Sequence, residues 1–410
     1  MEMFTVKRRH EVLNILQTAF EGWQQSSVSV SLKDALGRVL SEDIIAQENV
    51  PAFRRSTVDG YALIAQNTIG CSESLPAFLS LIGETEMGKG TDLTLNDYET
   101  VYVPTGGIVP EGANGVVMIE YTEPMGDEIA VNSPVSNLQN IVGIGDDVKE
   151  NEMILSKNTV LKSQHIGALA ALGVNEVKVL TKLKVGILST GDELVAVDTP
   201  LKLGQIRDVN THSLAAMIKS FGCDVVYQNR VGDLFDDIQI ALKEAITLAD
   251  VVLISGGSSV GTHDMTPDII NSLGKPGVLV HGIAIKPGKP TIVAKVDNTA
   301  VFGLPGHPAS CIVSYKTVVE PFIQKTLMNS NNKTKRVLAK SGFQAHVSAG
   351  RDVFYMVTLE EAENGYIANP VHGKSGMISV LSKADGYIEI PMEKEGLQKD
   401  DQVFVTLFRG

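Results

Sequence analysis

The sequence predicts a multidomain α/β protein with a doubly wound parallel-sheet domain, an inserted small β domain, an N-terminal helical region and a C-terminal small β-barrel. First, the chain has 410 residues, and a single hydrophobic core stops growing at roughly 250–300 residues. Second, apolar strand segments alternate with helical segments between Lys184 and Met328, which is typical of a parallel sheet. Third, short alternating strands rich in turn residues occur on either side of that region, which indicates small β domains.

We expect four domains from this pattern. They are a discontinuous N-terminal helical and linker domain (residues 1–50 and 148–182), the inserted β domain (51–147), the α/β domain (183–328) and the C-terminal β domain (337–410). In the first of these, the spacing of apolar residues predicts a helix over His10–Phe20, and Ser31–Leu40 is expected to form a second short helix.

The α/β domain is predicted element by element from its hydrophobic pattern. In order we expect a strand at Val185–Ser189, a helix at Thr211–Phe221, a strand at Asp224–Tyr227, a helix at Leu234–Ala249, a strand at Val251–Ser255, strands at Thr291–Ala294 and Ala300–Gly303, and a helix at Ala309–Leu327. Ligands of such open sheets bind beyond the carboxyl ends of the strands. The loops that follow these strands are therefore the candidate site.

Composition excludes several classes of function. The net charge of −13 disfavours nucleic-acid binding, because it repels polyanions. No apolar run approaches the roughly 20 residues of a membrane span, and Met1–Arg9 is not followed by a signal-peptide core, so we expect no membrane association and a cytoplasmic protein. Cys71, Cys223 and Cys311 are far apart in the sequence, which argues against a disulfide framework or a structural zinc site.

Two glycine-rich segments follow predicted strands of the α/β domain. They are Ser189–Glu193 and Ser255–Gly261. Their glycines allow the backbone to approach an anion closely. A plain βα turn needs only one or two glycines, so we favour an anion-binding loop, although neither segment is a Walker A or a G-x-G-x-x-G sequence.

Carboxylates gather at the same predicted sheet edge. They are Asp192, Glu193, Asp208, Asp233 and Asp264. Singly, Asp208 or Asp264 could cap a helix. As a set beside a phosphate loop they indicate Mg²⁺ ligation, because Mg²⁺ takes oxygen ligands and bridges to phosphates.

Two further loops carry weaker signals. Lys286–Pro290 places two lysines around a rigid turn, where both ammonium groups could reach an oxyanion. In Leu304–Pro308, His307 could act in catalysis, but a hydrogen-bonded loop histidine is the simpler reading. Neither G-x-S-x-G nor H-E-x-x-H occurs in the sequence, so serine and zinc hydrolase machinery is not indicated.

Taken together and in order, these motifs resemble molybdopterin molybdenumtransferase, the family of MoeA and the gephyrin E domain. The motifs are Ser189–Glu193, Ser255–Gly261, Lys286–Pro290 and Gly303–Pro308, with Ser56–Ala62, Pro104–Gly106 and Gly145–Asp147 upstream and Ser375–Gly376 and Ala384–Gly386 downstream. The resemblance spans nearly the whole chain, and it makes the α/β domain similar to MogA.

The resemblance implies an activity and its partners. Such enzymes insert molybdate, their substrate, into adenylylated molybdopterin. Mg²⁺-dependent hydrolysis of the adenylate then releases AMP and molybdenum cofactor. A homodimer with the site between subunits, and contact with the molybdopterin adenylyltransferase, are also implied.

The resemblance implies site residues as well. The catalytic residues would be Glu193, Asp233, Asp264, Asp59, Lys286 and Lys289, of which the first three would also be the metal ligands. The substrate-binding residues would be Thr105, Asp147, Thr190, Gly191, Asp208, Ser255, Gly256, Gly257, Ser258, Pro305 and Gly306. Asp59, Thr105 and Asp147 lie in the inserted domain and would come from the other subunit.

Two departures and three alternatives accompany this assignment. Arg207–Asn210 stands where Tyr or Arg, then Asp, then a small hydroxyl residue is common, and His307 stands where Asn is frequent. The alternatives are the adenylyltransferase that activates molybdopterin with ATP, a tungstate-inserting homologue and a non-catalytic scaffold. The regions outside the α/β domain favour the molybdenum-inserting enzyme over the adenylyltransferase.

Overall fold

The computed structural model describes residues 6–256, 265–328 and 335–408. Within these residues the chain divides into two compact units. The first contains residues 1–42, 158–166 and 176–410, and the second contains residues 43–157 and 167–175. No helix of the described part is both long and apolar enough to cross a membrane. The four-domain boundaries stay a prediction.

The first unit is built around a six-stranded sheet. Its strands in spatial order are Asp224–Val231, Lys184–Thr190, Val251–Ser255, Thr299–Leu304, Ile292–Val296 and Pro276–His281. All run parallel except Ile292–Val296, which is antiparallel to both of its neighbours. The predicted doubly wound sheet is confirmed, with one reversed strand and one additional strand, Pro276–His281.

Both faces of this sheet are covered by helices. Alternate residues of each strand point to opposite sides, so the apolar strands place side chains in a core on either face. Val251 and Leu253 enter one core, and Val252 and Ile254 enter the other. The first core is covered by Arg9–Ala19, Asn210–Ser220 and the helical run from Pro308 to Leu327, which is α-helical at Pro308–Ser314 and Glu320–Phe322 and π-helical at Tyr315–Val319 and Ile323–Leu327. The second core is covered by Phe235–Leu248 and Thr266–Leu273.

The N-terminal helix is confirmed at Arg9–Ala19, whose Val12 and Leu16 are buried in the first core. The expected second helix over Ser31–Leu40 is wrong. Only a three-residue 3₁₀ turn forms there, at Leu32–Asp34, because strand Ser27–Ser31 pairs with Glu176–Leu180 up to its last residue and Gly37 takes a left-handed φ of +76°.

The C-terminal region closes into the predicted small barrel. Its strands, in order around the barrel, are Asp352–Ala362, Gly365–Pro370, Arg336–Ser341, Gln402–Leu407 and Gly386–Ile390, and the last pairs with the first. Val357, Ala368 and Val405 fill the interior. Short elements complete the region: the strand pair Ala345–His346 with Gly396–Leu397, and the helix Ile378–Lys383.

The second unit is the predicted small β structure. Its six-stranded sheet has the order Gly115–Met118, Gly60–Leu63, Glu99–Val103, Ala77–Glu84, Glu128–Val131 and Thr122–Met125. Two strand pairs accompany it, Ile44–Ile45 with Met153–Leu155 and Arg55–Ser56 with Ile141–Val142, as do the 3₁₀ turns Ala65–Thr68 and Ile119–Tyr121. The helix Ser163–Ala171 follows in the chain.

Candidate functional site

Register brings the predicted loops to one edge of the central sheet. Ser189 pairs with Ser255, and Ser255 pairs with Leu304, so three parallel strands end at the same level. The antiparallel strand starts there too, because Ile292 pairs with Gly303. The two glycine-rich segments, the Pro305–Gly306 loop and the lysine turn therefore follow or precede strands at a common edge, as the sequence predicts.

At this edge the backbone after Ser255 comes close to the neighbouring strand end. Gly256 has a φ of +109°, and a Cβ there would lie 2.2 Å from the carbonyl oxygen of Thr190. Only glycine fits such a position. Within the described residues the buried hydroxyl of Thr190 has no hydrogen-bond partner. A buried hydroxyl without a hydrogen-bond partner is costly. Thr190 is therefore suited to bind a ligand that supplies that partner.

A buried hydrogen-bond network lies beneath these loops and is centred on Asp208. Its Oδ1 accepts bonds from the hydroxyl of Ser189 (3.2 Å) and from the backbone amide of Thr211 (3.1 Å). Asp208 is only 7% exposed. The Thr211 bond fixes the first turn of helix Asn210–Ser220, as a capping carboxylate does. Asp208 thus acts as the cap that the sequence allowed, beside its predicted role in substrate binding.

The sequence did not indicate Asn210 as a site residue. Its side-chain amide donates to the hydroxyl of Ser255 (2.6 Å) and to the carbonyl oxygen of Gly306 (2.8 Å). The only sequence signal for Asn210 is its place at the end of Arg207–Asn210, the segment that departs from the family pattern.

The carboxylates Glu193 and Asp233 lie on loops at this edge and are exposed. The backbone amides of Asp192 and Asp233 each donate to the other residue's carboxylate, at 3.4 and 3.1 Å, which ties the two loops together. The Glu193 carboxylate folds back over Gly191, since a Cβ at that glycine would lie 2.8 Å from Oε2. Asp264, Gly257 and Ser258 lie outside the described residues.

The lysine turn is rigidly supported. Gly288 has a φ of +117°, and its carbonyl oxygen accepts a bond of 2.7 Å from the hydroxyl of Thr291, which is fully buried. Lys286 and Lys289 are exposed. Strand Ile285–Lys286 also pairs with Asp352–Val353 of the barrel. Both ammonium groups are therefore presented from a fixed backbone.

The loop after Leu304 is anchored to the segment before the last helix. His307 Nδ1 is hydrogen-bonded to the hydroxyl of Ser375 (3.0 Å), and the amide of Ala309 donates to the carbonyl oxygen of Ser375. His307 is thus a hydrogen-bonded loop histidine. Pro305 is buried and Gly306 is exposed, so the backbone at Gly306 is accessible to a ligand.

The predicted residues of the second unit fall in three exposed loops, two of which are joined by a hydrogen bond. Asp59 Oδ1 accepts a bond of 2.8 Å from the backbone amide of Thr105, so the structure joins these two residues. Asp147 lies in a separate loop, where Gly145 has a φ of +71° and the amide of Asp147 donates to the carbonyl oxygen of Val50.

An open cavity of about 520 Å³ lies beside the Asp208 network. Its lining residues are Ala196, Val197, Asp198, Asp208, Thr211, His212, Gln228, Asn229 and Arg230. The lining contains the cation Arg230 and the carboxylates Asp198 and Asp208, so the cavity has mixed charge.

Fold and loop placement define this protein as a doubly wound α/β protein with a candidate ligand site at the carboxyl edge of its sheet. It is 33% identical over 388 residues to the molybdopterin molybdenumtransferase of Bacillus subtilis (strain 168), covering 93% of this chain and 89% of the relative. The corresponding protein of Staphylococcus aureus (strain COL) is 34% identical over 391 residues, covering 94% and 92%. The chain belongs to the molybdopterin molybdenumtransferase family, the family of MoeA.

Family models and solved structures agree with this membership. The models match as MoeA N-terminal region (domain I and II) at residues 7–173, "Probable molybdopterin binding domain" at residues 186–325 and MoeA C-terminal region (domain IV) at residues 339–408. Two structures of the molybdopterin biosynthesis moeA protein from Pyrococcus horikoshii match with a TM-score of 0.85. They are 33% and 31% identical and cover 99% and 98% of this chain and all of theirs.

Proposed function

We propose that this chain is a molybdopterin molybdenumtransferase, an enzyme of molybdenum cofactor biosynthesis that inserts molybdate into adenylylated molybdopterin and releases AMP. The observation that carries the proposal is the common sheet edge. There the register aligns the Ser255–Gly256 loop, the Pro305–Gly306 loop and the lysine turn. One phosphate-bearing substrate and one small oxyanion would be held side by side at this edge.

The phosphoanhydride of the substrate would lie against the loops at Thr190, Ser255 and Gly256. The hydroxyl of Thr190, which has no partner among the described residues, and the close backbone approach at Gly256 fit phosphate oxygens. The P–O bond between the two phosphates would break there, with water or a molybdate oxygen as the nucleophile. The proton released by a water nucleophile would pass to solvent at this exposed edge.

Molybdate would be attracted to the lysine turn. Two exposed ammonium groups on a backbone fixed by Thr291 and Gly288 suit a dianionic oxyanion. The same chemistry admits tungstate, so competition between the two oxyanions is part of the test.

Mg²⁺ fits the donor chemistry of this edge, because carboxylate oxygens are its preferred protein ligands. Glu193 and Asp233 would hold it, with Asp264 as the third carboxylate. Among the described residues, which do not include Asp264, no three His, Cys, Asp or Glu side chains converge as a metal site. When bound, the ion would offset charge on the phosphates.

We also propose that the active form is a cytoplasmic homodimer. Asp59, Thr105 and Asp147 of one subunit would complete the site of the other, and the dimer would receive its substrate by contact with the adenylyltransferase. These three residues are exposed, and a hydrogen bond already joins Asp59 to Thr105. Both observations support the proposal that these loops contact the ligand.

The test is a reconstituted reaction. Purified protein is mixed with adenylylated molybdopterin, molybdate and Mg²⁺, and AMP release and activation of an apo-molybdoenzyme are measured. AMP release that depends on molybdate is expected. Consumption of ATP with unadenylylated molybdopterin would instead identify an adenylyltransferase, and absence of both reactions would favour a scaffold.

A matched pair of lysine variants tests the oxyanion site. Lys286→Ala should raise the KM for molybdate at least about tenfold, because hydrogen bonds to charged groups contribute about 1.5–3 kcal/mol. Lys275→Ala is the control: Lys275 is also an exposed lysine before a proline, but Pro276 pairs with Val296 at the opposite edge of the sheet. Equal KM values in both variants would contradict the assignment.

A further inference from the structure

We infer that Asn210 is a positioning residue that fixes the two ligand-binding loops relative to each other. The inference rests on the proposed function and goes beyond it, since Asn210 belongs to neither loop. It starts from the bond geometry. Both hydrogens of one amide nitrogen are used, one on the Ser255 hydroxyl at 2.6 Å and one on the Gly306 carbonyl at 2.8 Å.

The two acceptors belong to adjacent strand ends. Ser255 is paired with Leu304, and the amide of Gly256 donates weakly, at 3.3 Å, to the carbonyl oxygen of Leu304. In the loops that follow these strand ends, a Cβ added to Gly306 would lie 3.7 Å from the Cα of Gly256. The loops therefore touch, and Asn210 bonds to both.

Asn210 is itself held firmly. It is 8% exposed and begins the helix Asn210–Ser220, whose first turn is capped by Asp208. The fixed end of this helix thus sets the position of the Gly306 backbone and the rotamer of Ser255.

The chemistry requires a donor at this position. A backbone carbonyl such as that of Gly306 can only accept, and an amide nitrogen supplies two donors. Asn210→Asp keeps the shape but places a carboxylate oxygen against the carbonyl oxygen, so it should push the loops apart. Protonation of that carboxyl at low pH would return one donor.

The test compares kcat and KM of Asn210→Asp, Asn210→Ala and wild type across pH, with Asn175→Asp at an exposed position as the control for added charge. Asn210→Asp should raise the KM for adenylylated molybdopterin at least about tenfold, since each lost buried bond costs about 1–3 kcal/mol. Its kcat/KM relative to wild type should recover as pH falls, whereas that of Asn210→Ala should stay constant. Asn175→Asp should match wild type.

Two results would overturn the inference while leaving the proposed function intact. One is an active wild type with unchanged KM in Asn210→Asp, and the other is a pH profile of that variant parallel to Asn210→Ala. If Asn210→Asp does not fold, Asn210→Ala, which removes both donors without adding charge, should still raise the same KM, and an unchanged KM in that variant would overturn the inference.

A readout independent of activity separates the two hypotheses. Hydrogen exchange of the peptide containing residues 304–308 should be faster in Asn210→Asp than in wild type or Asn175→Asp, whether or not wild type releases AMP. Unchanged exchange there would refute the positioning role, and inactive wild type with faster exchange in the variant would refute only the proposed function.

Discussion

Replacement of Gly256 by alanine isolates the cost of the close backbone approach at the sheet edge. At Gly256 a Cβ would stand 2.2 Å from the carbonyl oxygen of Thr190, whereas carbon and carbonyl oxygen normally approach to about 3.3 Å. The backbone must therefore open by about 1 Å. Overpacking of this kind costs about 1–3 kcal/mol, and the left-handed φ of +109° adds about 1–2 kcal/mol for alanine. The free energy of unfolding should fall by about 2–5 kcal/mol.

Two matched variants separate these contributions. Gly350→Ala has a φ of +97° and no atom within 4 Å of the new Cβ, so it should cost only the backbone component of about 1–2 kcal/mol. Gly306→Ala meets only an ordinary contact at 3.7 Å and should leave stability within about 0.5 kcal/mol.

The assay is urea unfolding followed by circular dichroism, with AMP release measured on the folded variants. The reasoning is refuted if Gly256→Ala is no less stable than Gly350→Ala, because the backbone contact would then have no cost. It is also refuted if Gly306→Ala is as unstable as Gly256→Ala.

Three further measurements concern buried and paired groups elsewhere. Burial raises the pKa values of Cys223 and Cys311 to about 12, so a thiol reagent near neutral pH should modify only Cys71 in folded protein and all three thiols in guanidinium; rapid labelling of two or more thiols in native protein would contradict this. Burial also raises the pKa of Tyr387 to about 12. Because the unfolded chain loses these three protons first, the free energy of unfolding should fall between about pH 9 and 12, by up to about 1.4 kcal/mol per pH unit for each group. Urea titrations at stepped pH would measure that slope, and a flat profile would exclude it. Arg9→Ala removes a cation bridged to two partly buried carboxylates of the barrel and should cost about 1–2 kcal/mol, with a smaller loss at high salt; a loss independent of salt would indicate packing instead.

Hydrophobic pattern predicted most of the α/β fold but not the direction of its strands. An apolar run such as Ile292–Val296 is buried on both faces, so it reads the same in either orientation. Strand Pro276–His281 was missed because it begins with Pro and Gly, which are turn signals in a sequence. The expected helix at Ser31–Leu40 failed because long-range pairing at both of its ends, of Ser31 with Glu176 and of Leu40 with Val179, overrides local propensity.

Thr190, Glu193 and Ser255 could be recognised as candidates because they end a strand or closely follow one; their roles in binding stay predictions. Asn210 could not be recognised, because its two acceptors lie 45 and 96 positions further along the chain. Those contacts exist only once three strands and a helix have taken their register. The lack of a hydrogen-bond partner for the Thr190 hydroxyl in the described part of the chain is likewise a property of packing and leaves no mark in the sequence.

The common level of Ser189, Ser255 and Leu304 limits how this protein can change in evolution. An insertion of one residue within Val251–Ser255 would exchange the two faces of the strand and carry Val252 and Ile254 into the opposite core. Protein cores are close-packed, so the exchanged side chains would have to fit two differently shaped cores, which is costly. We therefore expect changes in loop length to be tolerated better than changes in the length of these strands, so the register of the sheet would set the spacing between the proposed phosphate and oxyanion positions.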